Sequence, residues 1–458
     1  MIENDAFKLL LINLFHLNPD DIANILCTTF NKMMVLVVTL ADKHQACPYC
    51  GFTAPKIKEY VTKEITHSAL TTQKCIIKYR ARRYKCSCCG KTYYEFNPFV
   101  FKSQKISILT VHNILKDLKD FNETFTSVAR RYHVSPTSVS TIFDNHVDIG
   151  RNPLPEIINF DEVYAFKSEK SKYVCVLLDF KKQIPVDVLP NRKKEYLLNY
   201  FQKIPLEERK KVKYACSDMY EVYRDVVHKV FPESKHLLDY FHLSQDFHKK
   251  MNEVRIKVMK GYKDNKASDE YYLLKKFNWL LFKNPEDEDK YGRLFDVERE
   301  RKYNSHFKSY MNYYDLRKKI LEINNDLTIC YSLKLELVDF YSKSTIDNAQ
   351  VNLEHLIRSF IDTNIEEMIK FSNNLINWKQ EIINSFTIVG TEYKVEADKG
   401  QVVVCNKKVN NAIIENRNKI IKCIKNNANG YTNWLRFRNR VMYVLDPNAT
   451  FSLEPREK

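Results

Sequence analysis

The sequence predicts a multidomain α/β protein in which small N-terminal modules precede an α/β core that an all-α insertion interrupts. Three observations favour this architecture. The 458-residue chain is long enough for two to four domains, and its 44% hydrophobic content supplies their cores. Short apolar runs alternate with amphipathic helical segments over residues 156–242. From residue 243 to about residue 398 the pattern is helical throughout and has few glycines.

The first 46 residues are predicted to form a small preface. A helix is expected from Asp5 to Phe15, followed by a turn at residues 18–21 that starts a second helix, and by a strand from Met33 to Ala41. The N-terminus, M-I-E-N-D, lacks the basic region and the cleavage site of a signal peptide. The twelve cysteines are therefore expected in a reducing compartment and not in a disulfide framework.

Two C-x-x-C-G motifs predict a structural zinc site. The four thiols belong to Cys47, Cys50, Cys86 and Cys89. In each motif the glycine permits a tight turn that brings both thiolates to one ion, and four thiolates in a reducing compartment favour zinc over an iron–sulfur cluster. Cys88 is a competing ligand, although the glycine at residue 90 favours Cys89. We expect residues 47–103 to form a zinc ribbon.

Between the two motifs lies a predicted strand, residues 74–85, in which basic side chains are interleaved with tyrosines. Lys78, Arg80 and Arg82 would suit contacts with DNA. The alternative is a solvated edge strand whose charges prevent aggregation. The charge distribution favours DNA, because residues 47–150 and 401–458 together carry +15 of the net charge of +16. Such concentration indicates two surfaces that face a polyanion.

Residues 104–150 have the pattern of a helix-turn-helix domain. Helices are expected over residues 104–121, 124–132 and 136–144, with Ser135 as the N-cap of the third and His133 where a turn glycine is usual. The residues predicted to contact bases or phosphates are Arg130, Arg131, Thr137, Ser138 and Thr141. A plain helical hairpin is the alternative interpretation.

The α/β core is predicted from residues 151–242. Strand-like runs are expected at residues 156–163, 172–180, 184–189, 212–218 and 235–239, and helices at residues 193–203 and 219–230. Three strands in a meander followed by strand–helix repeats form the ribonuclease H arrangement. Asp161 and Asp218 each end a strand-like run, and two carboxylates at adjacent strand ends suit a pair of magnesium ions. Taken singly, each is better explained as a turn residue, and Asp218 as the cap of the following helix.

A third carboxylate is predicted far downstream, after the insertion at residues 243–400. The segment 409–422 has an apolar helical face, and Asn411, Glu415, Asn418 and Lys422 share the opposite face. Glu415 is the only carboxylate on that polar face, although an ion pair with Lys419 is an alternative explanation. The rest of the face suits phosphates, and Lys422 is predicted to contact DNA. A last helix, residues 434–444, carries Arg436, Arg438 and Arg440 beside aromatic residues, a strip suited to a DNA backbone.

The complete order of these features resembles the DDE transposases of bacterial insertion sequences, and in particular the insertion-sequence L-three family. The stretches that carry the resemblance are the C-x-x-C-G pairs and residues 159–162, 216–220, 238–242, 280–285, 410–422 and 428–431. The similarity spans nearly the whole chain, from residue 47 to residue 445. It implies a catalytic triad of Asp161, Asp218 and Glu415, with Asp239 and His242 in a supporting D-x-x-H element.

The resemblance also implies cofactors, partners and location. Two Mg²⁺ or Mn²⁺ ions would be held by Asp161, Asp218 and Glu415, and one structural Zn²⁺ by the four cysteines. The expected activity is cleavage at transposon-end inverted repeats and strand transfer to target DNA. The protein is expected to act on double-stranded DNA as at least a homodimer. Its expected location is the bacterial cytoplasm, at the nucleoid, with no membrane association. The expected segments are 1–46, 47–103, 104–150, 151–242, 243–400, 401–446 with the catalytic Glu, and a tail, 447–458.

Two other functions fit parts of this pattern. A DNA-binding regulator, with a zinc ribbon and a helix-turn-helix but no catalysis, would leave the carboxylates without a chemical role. A ribonuclease H-like nuclease without strand transfer would cut DNA and join nothing.

Overall fold

The computed structural model describes residues 2–43, 45–53, 55–101, 104–166, 171–395 and 402–456. Within these residues the chain is a mixed α/β multidomain protein built on two five-stranded sheets and a largely helical segment. No helix in the described ranges combines the length and the apolar character that crossing a membrane requires.

The N-terminal module is a five-stranded sheet covered by one helix. Its elements are α1 (Ile2–Leu14), β1 (Ile22–Phe30), β2 (Met33–Leu40), β3 (Lys56–Thr66), β4 (Cys75–Lys85) and β5 (Thr92–Tyr94). The strand order is β1-β2-β4-β3, with β5 also paired to β4, so the first 46 residues share a sheet with the cysteine motifs. The expected second helix is limited to a three-residue 3-10 helix, Pro19–Asp21, capped by Asn18, after which the chain forms β1. Asn31 and Lys32, at φ of 50° and 60°, make a tight hairpin turn into β2.

Three short helices follow: α2 (Ile108–Asp117), α3 (Phe125–Arg131) and α4 (Pro136–His146). The Thr124 and Ser135 hydroxyls cap α3 and α4 by accepting backbone N–H groups three residues on, at 2.9 Å and 3.0 Å. His133 takes the left-handed conformation, with φ of 54°, that its place in the turn requires. The cap prediction at Ser135 is confirmed, whereas the first helix is shorter than the expected 104–121.

The central sheet carries the predicted carboxylates. Its elements are β6 (Ile157–Val163), β7 (Val174–Asp179), β8 (Pro185–Leu189), α5 (Lys194–Gln202), α6 (Leu206–Arg209), β9 (Tyr214–Ser217), α7 (Glu221–Val230) and β10 (Lys235–Leu238). The strand order is β10-β9-β6-β7-β8. The β6–β7–β8 strands form an antiparallel meander, and β9 and β10 run parallel to β6. The predicted cap at Asp218 was wrong: α7 begins at Glu221 with Tyr220 as its N-cap.

The long segment after β10 is mostly helical. Its elements are α8 (Tyr240–Lys260), α9 (Asp269–Lys276), β11 (Glu288–Asp289), β12 (Gly292–Arg293), β13 (Lys302–Asn304), β14 (Ser309–Met311), α10 (Tyr313–Glu322), α11 (Asn325–Lys343), α12 (Ala349–Ile361), α13 (Glu366–Asn377), α14 (Lys379–Asn384), β15 (Ile388–Val395) and β16 (Val402–Lys408). The all-α prediction was therefore wrong. Left-handed Gly292 and Lys308 allow two small hairpins, and the β-branched start of β16 favours pairing with β15.

The chain then returns to the central sheet through α15 (Ala412–Asn427) and α16 (Trp434–Leu445). Left-handed Asn429 and Gly430 end α15. Helices α5 and α7 pack against one face of the central sheet, and α15 and α16 pack against the other. Because Ile414 and Ile421 of α15 pack with residues of β6 and β7 in one apolar cluster, the burial of this face fixes where Glu415 lies.

Helix α16 also anchors the α2–α4 module. Arg440 is 1% exposed, and its guanidinium donates to the backbone carbonyls of Asp120 and Glu123 at 2.8 Å. The Tyr443 hydroxyl donates to the Leu115 carbonyl at 3.0 Å. The three-helix module and the C-terminal helices therefore share a buried polar contact.

Replacing Arg440 by Ala is expected to destabilise the protein by about 3 kcal/mol, because a cavity forms and two carbonyls lose a charged donor. Denaturant unfolding followed by tryptophan fluorescence and circular dichroism measures the loss. The exposed residue Lys422 provides the control, since Lys422→Ala is expected to change stability by less than about 0.5 kcal/mol. An equal, small effect of both substitutions would contradict the anchoring role.

Candidate active site and metal-binding clusters

The two C-x-x-C-G motifs bring four sulfur atoms together. The Sγ atoms of Cys47 and Cys89 lie 3.7 Å apart, and those of Cys50 and Cys86 lie 3.5 Å apart. All four sulfurs lie within 4.8 Å of one another. With Zn–S bonds of about 2.3 Å, a tetrahedron has edges of about 3.8 Å, so the spacing is compatible with zinc. Cys88 is exposed and lies outside the cluster, as predicted.

The backbone of each motif is arranged for metal binding. Gly51 and Gly90 both have φ of 73°, and their N–H groups donate to the Cys47 and Cys86 carbonyls at 2.9 Å and 3.0 Å. The Cys89 backbone N–H points at the Cys86 sulfur and lowers the pKa of this thiol to about 6. The thiolate form that a metal requires is therefore favoured at Cys86.

Three acids lie at one edge of the central sheet. Asp161 is in the last half of β6, Asp218 follows β9, and Asp239 follows β10 as the N-cap of α8. Because β9 and β10 run parallel to β6, their carboxyl ends meet at the same edge. The sequence predicted Asp161 and Asp218 at adjacent strand ends. Strands β6 and β9 are neighbours and Asp218 follows β9, but Asp161 lies within β6, two residues before its end.

Helix α15 brings Glu415 to this edge in its first turn. Glu415 Oε1 lies 3.8 Å from His242 Nε2, which lies 3.9 Å from Asp239 Oδ2. These three residues each offer a ligand atom within 4.8 Å of the others. Asp161 and Asp218 are not members of this group, which joins Glu415 to the two residues predicted to be supporting ones.

The pKa values show that the acids influence one another. Burial raises the pKa of Asp161 to about 7, and the charges of Asp218, Glu415 and Asp239 add to the rise, while His242 opposes it. Burial likewise raises the pKa of Asp218 and of Asp239. Carboxylates gathered in a buried site resist ionisation unless cations compensate their charge.

An asparagine network, which the sequence prediction missed, joins β6 to α15. The Asn418 side chain donates to Asp161 Oδ2 at 2.7 Å, while the other oxygen of Asp161 accepts the Glu162 N–H at 2.7 Å. Asn159 donates to the Asn411 side chain at 2.7 Å. The polar face of α15 is therefore partly buried against the acids and does not face solvent as a whole. The repeat of Asn411, Glu415 and Asn418 along one helical face was the available signal.

Several buried polar atoms at this edge lack a hydrogen-bond partner. Among the described residues they include Asp218 Oδ1, Asp239 Oδ2, His242 Nε2, Asn159 Oδ1 and Asn418 Oδ1. A buried polar atom without a hydrogen-bond partner lowers the stability of the fold. Several such atoms lie among carboxyl groups whose pKa values are raised, which fits a site that binds cations. Oxygen-rich ligands suit Mg²⁺ or Mn²⁺, so these residues fit the divalent ions that the sequence implied.

The residues predicted to bind DNA divide into two groups. The first group is exposed or half-exposed: Lys78, Arg80, Arg130, Thr137, Ser138, Thr141 and Lys422. Within it, Lys78 forms a surface ion pair with Glu64 at 3.1 Å. Arg80 stacks over the Tyr60 ring at 4.9 Å, which leaves the cation beside an aromatic surface. This group remains compatible with contacts to a polyanion.

The second group is occupied by contacts within the chain. Arg82 pairs with Glu95 at 2.8 Å, and Arg131 pairs with Asp117 and Glu123. Arg436 pairs with Asp144, and Arg438 with Asp187, each at 2.6 Å. The predicted basic strip on α16 was wrong for Arg440, which is buried. The arginines of α16 join modules of this chain, because each meets a carboxylate or carbonyl that is distant in sequence.

Comparison with known protein families identifies the class to which this protein belongs. Residues 158–397, more than half of the chain, match a family model described as a transposase. The matched segment begins in β6 and ends after β15, so it contains Asp161, Asp218, Asp239 and His242. The chain belongs to the insertion-sequence L-three family of DDE transposases.

A curated relative agrees with this assignment. The transposase for insertion sequence element IS1001 of Bordetella parapertussis is 19% identical over 409 residues, which cover 89% of this chain and 90% of the relative. The similarity therefore covers most of the length of both chains.

Proposed function

We propose that this transposase binds the inverted repeats at transposon ends and catalyses metal-dependent DNA cleavage followed by strand transfer. The observation that carries the proposal is the convergence of Asp161, Asp218, Asp239 and Glu415 at one sheet edge, where buried oxygen atoms lack partners. The order β10-β9-β6-β7-β8, with an antiparallel meander beside parallel strands, supports a ribonuclease H-like core. Residues 243–400 interrupt this core between β10 and α15, which supports the predicted domain organisation.

Asp161, Asp218 and Glu415 would hold the divalent ions. When bound, such ions supply a water nucleophile at neutral pH and stabilise the leaving 3′ oxygen of a phosphodiester. Asn418 orients the Asp161 carboxylate by occupying Oδ2, and burial of Asp161 keeps bulk water away from that oxygen. Glu415 follows the insertion in sequence and lies on α15. Metal binding by Glu415 therefore requires α15 to stay packed on the central sheet.

The DNA-binding surface would combine the three-helix module and the zinc ribbon. On α4, Thr137 and Thr141 are exposed one turn apart and suit base edges. Exposed cations that would contact DNA phosphates lie on α3, at Arg130, and on β4, at Lys78 and Arg80. The pairing of Arg436 with Asp144 joins α4 to α16 of the core. Cutting two ends together would require at least a dimer on DNA.

Incubation of the purified protein with a labelled transposon end, target DNA and Mg²⁺ tests the proposal. We expect a free 3′ end first and joined products later. Cut ends that never join would favour the nuclease, and binding without cutting would favour the regulator. Either outcome would contradict the proposed activity.

Divalent metal is expected to stabilise the protein in a pH-dependent way. The pKa of Asp161 is about 7 in the fold, against about 4 in an unfolded chain, so the folded state holds the proton more tightly. Stability without metal should therefore fall as pH rises from about 4 through about 7. Mg²⁺ restores it by compensating the ionised carboxylates, so it should raise the melting temperature more at pH 8 than at pH 5. Thermal unfolding with and without Mg²⁺ at both pH values measures this, and an equal shift at both would contradict it.

A further inference from the structure

We infer that Asp239, His242 and Glu415 form one divalent-metal site with mixed oxygen and nitrogen ligands, which binds Mn²⁺ in preference to Mg²⁺. The inference rests on the proposed function insofar as this ion would lie in the same active site. It assigns His242 a metal contact, which the D-x-x-H resemblance alone does not give.

The distances around His242 fit shared ligation better than hydrogen bonding. His242 Nε2 lies 3.9 Å from Asp239 Oδ2 and 3.8 Å from Glu415 Oε1, both too long for hydrogen bonds. Two ligands of one ion with bonds of about 2.2 Å lie roughly 3 to 4 Å apart. The three groups therefore surround a space that one ion could occupy after small side-chain adjustments.

Asp239 gives the second, independent observation. It is 3% exposed, and its Oδ1 accepts the Asn411 backbone N–H at 3.2 Å, which fixes the carboxylate. The other oxygen, Oδ2, faces His242 and has no hydrogen-bond partner. A buried carboxylate oxygen without a partner is costly, and a bound cation would remove that cost.

The local structure also aims His242 at this space. Asp239 is the N-cap of α8, and His242, three residues later, lies on the same side of the first turn. The buried residues Leu243 and Phe247 hold α8 against the insertion core, so the imidazole is presented from a fixed helix. His242 Nε2 is buried and also has no hydrogen-bond partner.

The ligand chemistry determines the choice of metal. Mg²⁺ prefers oxygen ligands and keeps several waters, whereas Mn²⁺ accepts an imidazole nitrogen beside carboxylates more readily. A site of two carboxylates and one imidazole should therefore favour Mn²⁺. The all-carboxylate pair, Asp161 and Asp218, would not share this preference.

Electron spin-echo spectroscopy of Mn²⁺ added to the full-length, zinc-loaded protein tests the inference. We expect nitrogen modulation from a directly bound imidazole, which disappears in His242→Ala and persists in His228→Ala. His228 is the matched control because its side chain is exposed and lies on α7, outside this cluster. The Kd for Mn²⁺ should rise about tenfold or more in His242→Ala, and the Kd for Mg²⁺ should change less.

Three outcomes would overturn the inference. Bound Mn²⁺ without nitrogen modulation would mean that His242 does not ligate, and modulation that survives His242→Ala would mean that another nitrogen does. In either case, cleavage and joining with Mg²⁺ would show that the proposed function still holds. Failure of the protein to bind Mn²⁺ at all, together with absence of cleavage, would contradict both.

Discussion

Asp161→Asn is expected to lower the rate of strand cleavage at a labelled transposon end at least about a thousandfold. The substitution keeps the shape of the side chain but removes the charge that Asp161 would offer to a divalent ion. Loss of about 4 kcal/mol of transition-state stabilisation corresponds to this factor. Single-turnover cleavage, measured at saturating protein and Mg²⁺, separates this effect from weaker DNA binding.

Asp225→Asn provides the matched control, because Asp225 is an accessible carboxylate on α7 that pairs with Lys194 away from the sheet edge. We expect this variant to cleave at nearly the wild-type rate. DNA binding by Asp161→Asn, measured by mobility shift without metal, should stay close to wild type. Cleavage by Asp161→Asn at the wild-type rate would remove Asp161 from the catalytic set.

Cys86→Ser is expected to abolish the zinc content of the protein and to disorder the segments that carry the two C-x-x-C-G motifs. Structural zinc contributes about 10 kcal/mol or more in small zinc domains, far more than one hydroxyl could replace. The few buried residues near the cluster, such as Tyr84 and Tyr93, cannot hold the hairpin alone. Metal analysis of the purified protein should give one zinc per chain in the wild type and almost none in the variant.

Cys88→Ser is the control for this experiment. Cys88 lies beside the ligands in sequence but is exposed and outside the four-sulfur cluster. We expect it to retain one zinc per chain and to melt like the wild type. Loss of zinc in Cys88→Ser, with zinc retained in Cys86→Ser, would reverse the assignment of ligands.

The features predicted correctly are those that depend on neighbouring residues. Ser135 with Pro136 predicted the start of α4, and the C-x-x-C-G spacing selected Cys89 over Cys88. The position of Asp218 after β9 followed from the short apolar run before it, whereas β6 continues two residues past Asp161. In each case the signal lies within about ten residues, where capping, turns and periodicity determine structure.

The features predicted wrongly depend on partners that are distant in sequence. Arg440 is a residue type that commonly contacts DNA. Its actual partners are the backbone carbonyls of Asp120 and Glu123, about 320 residues earlier in the sequence. Asn418 lies 257 residues after the carboxylate it orients. A helical projection gives the face on which a residue lies, but not which module covers that face. The small hairpins of the insertion were missed because their strands are only two or three residues long.

The central claim is that Glu415, brought back by α15, shares a metal centre with Asp161 and Asp218. Anomalous diffraction from crystals of the full-length protein soaked with Mn²⁺ tests it most directly. We expect manganese at the edge of the central sheet, with Glu415 and at least one of the two aspartates as direct ligands of the bound metal. Manganese bound to the aspartates, with the Glu415 carboxylate beyond reach of any ion, would contradict the claim.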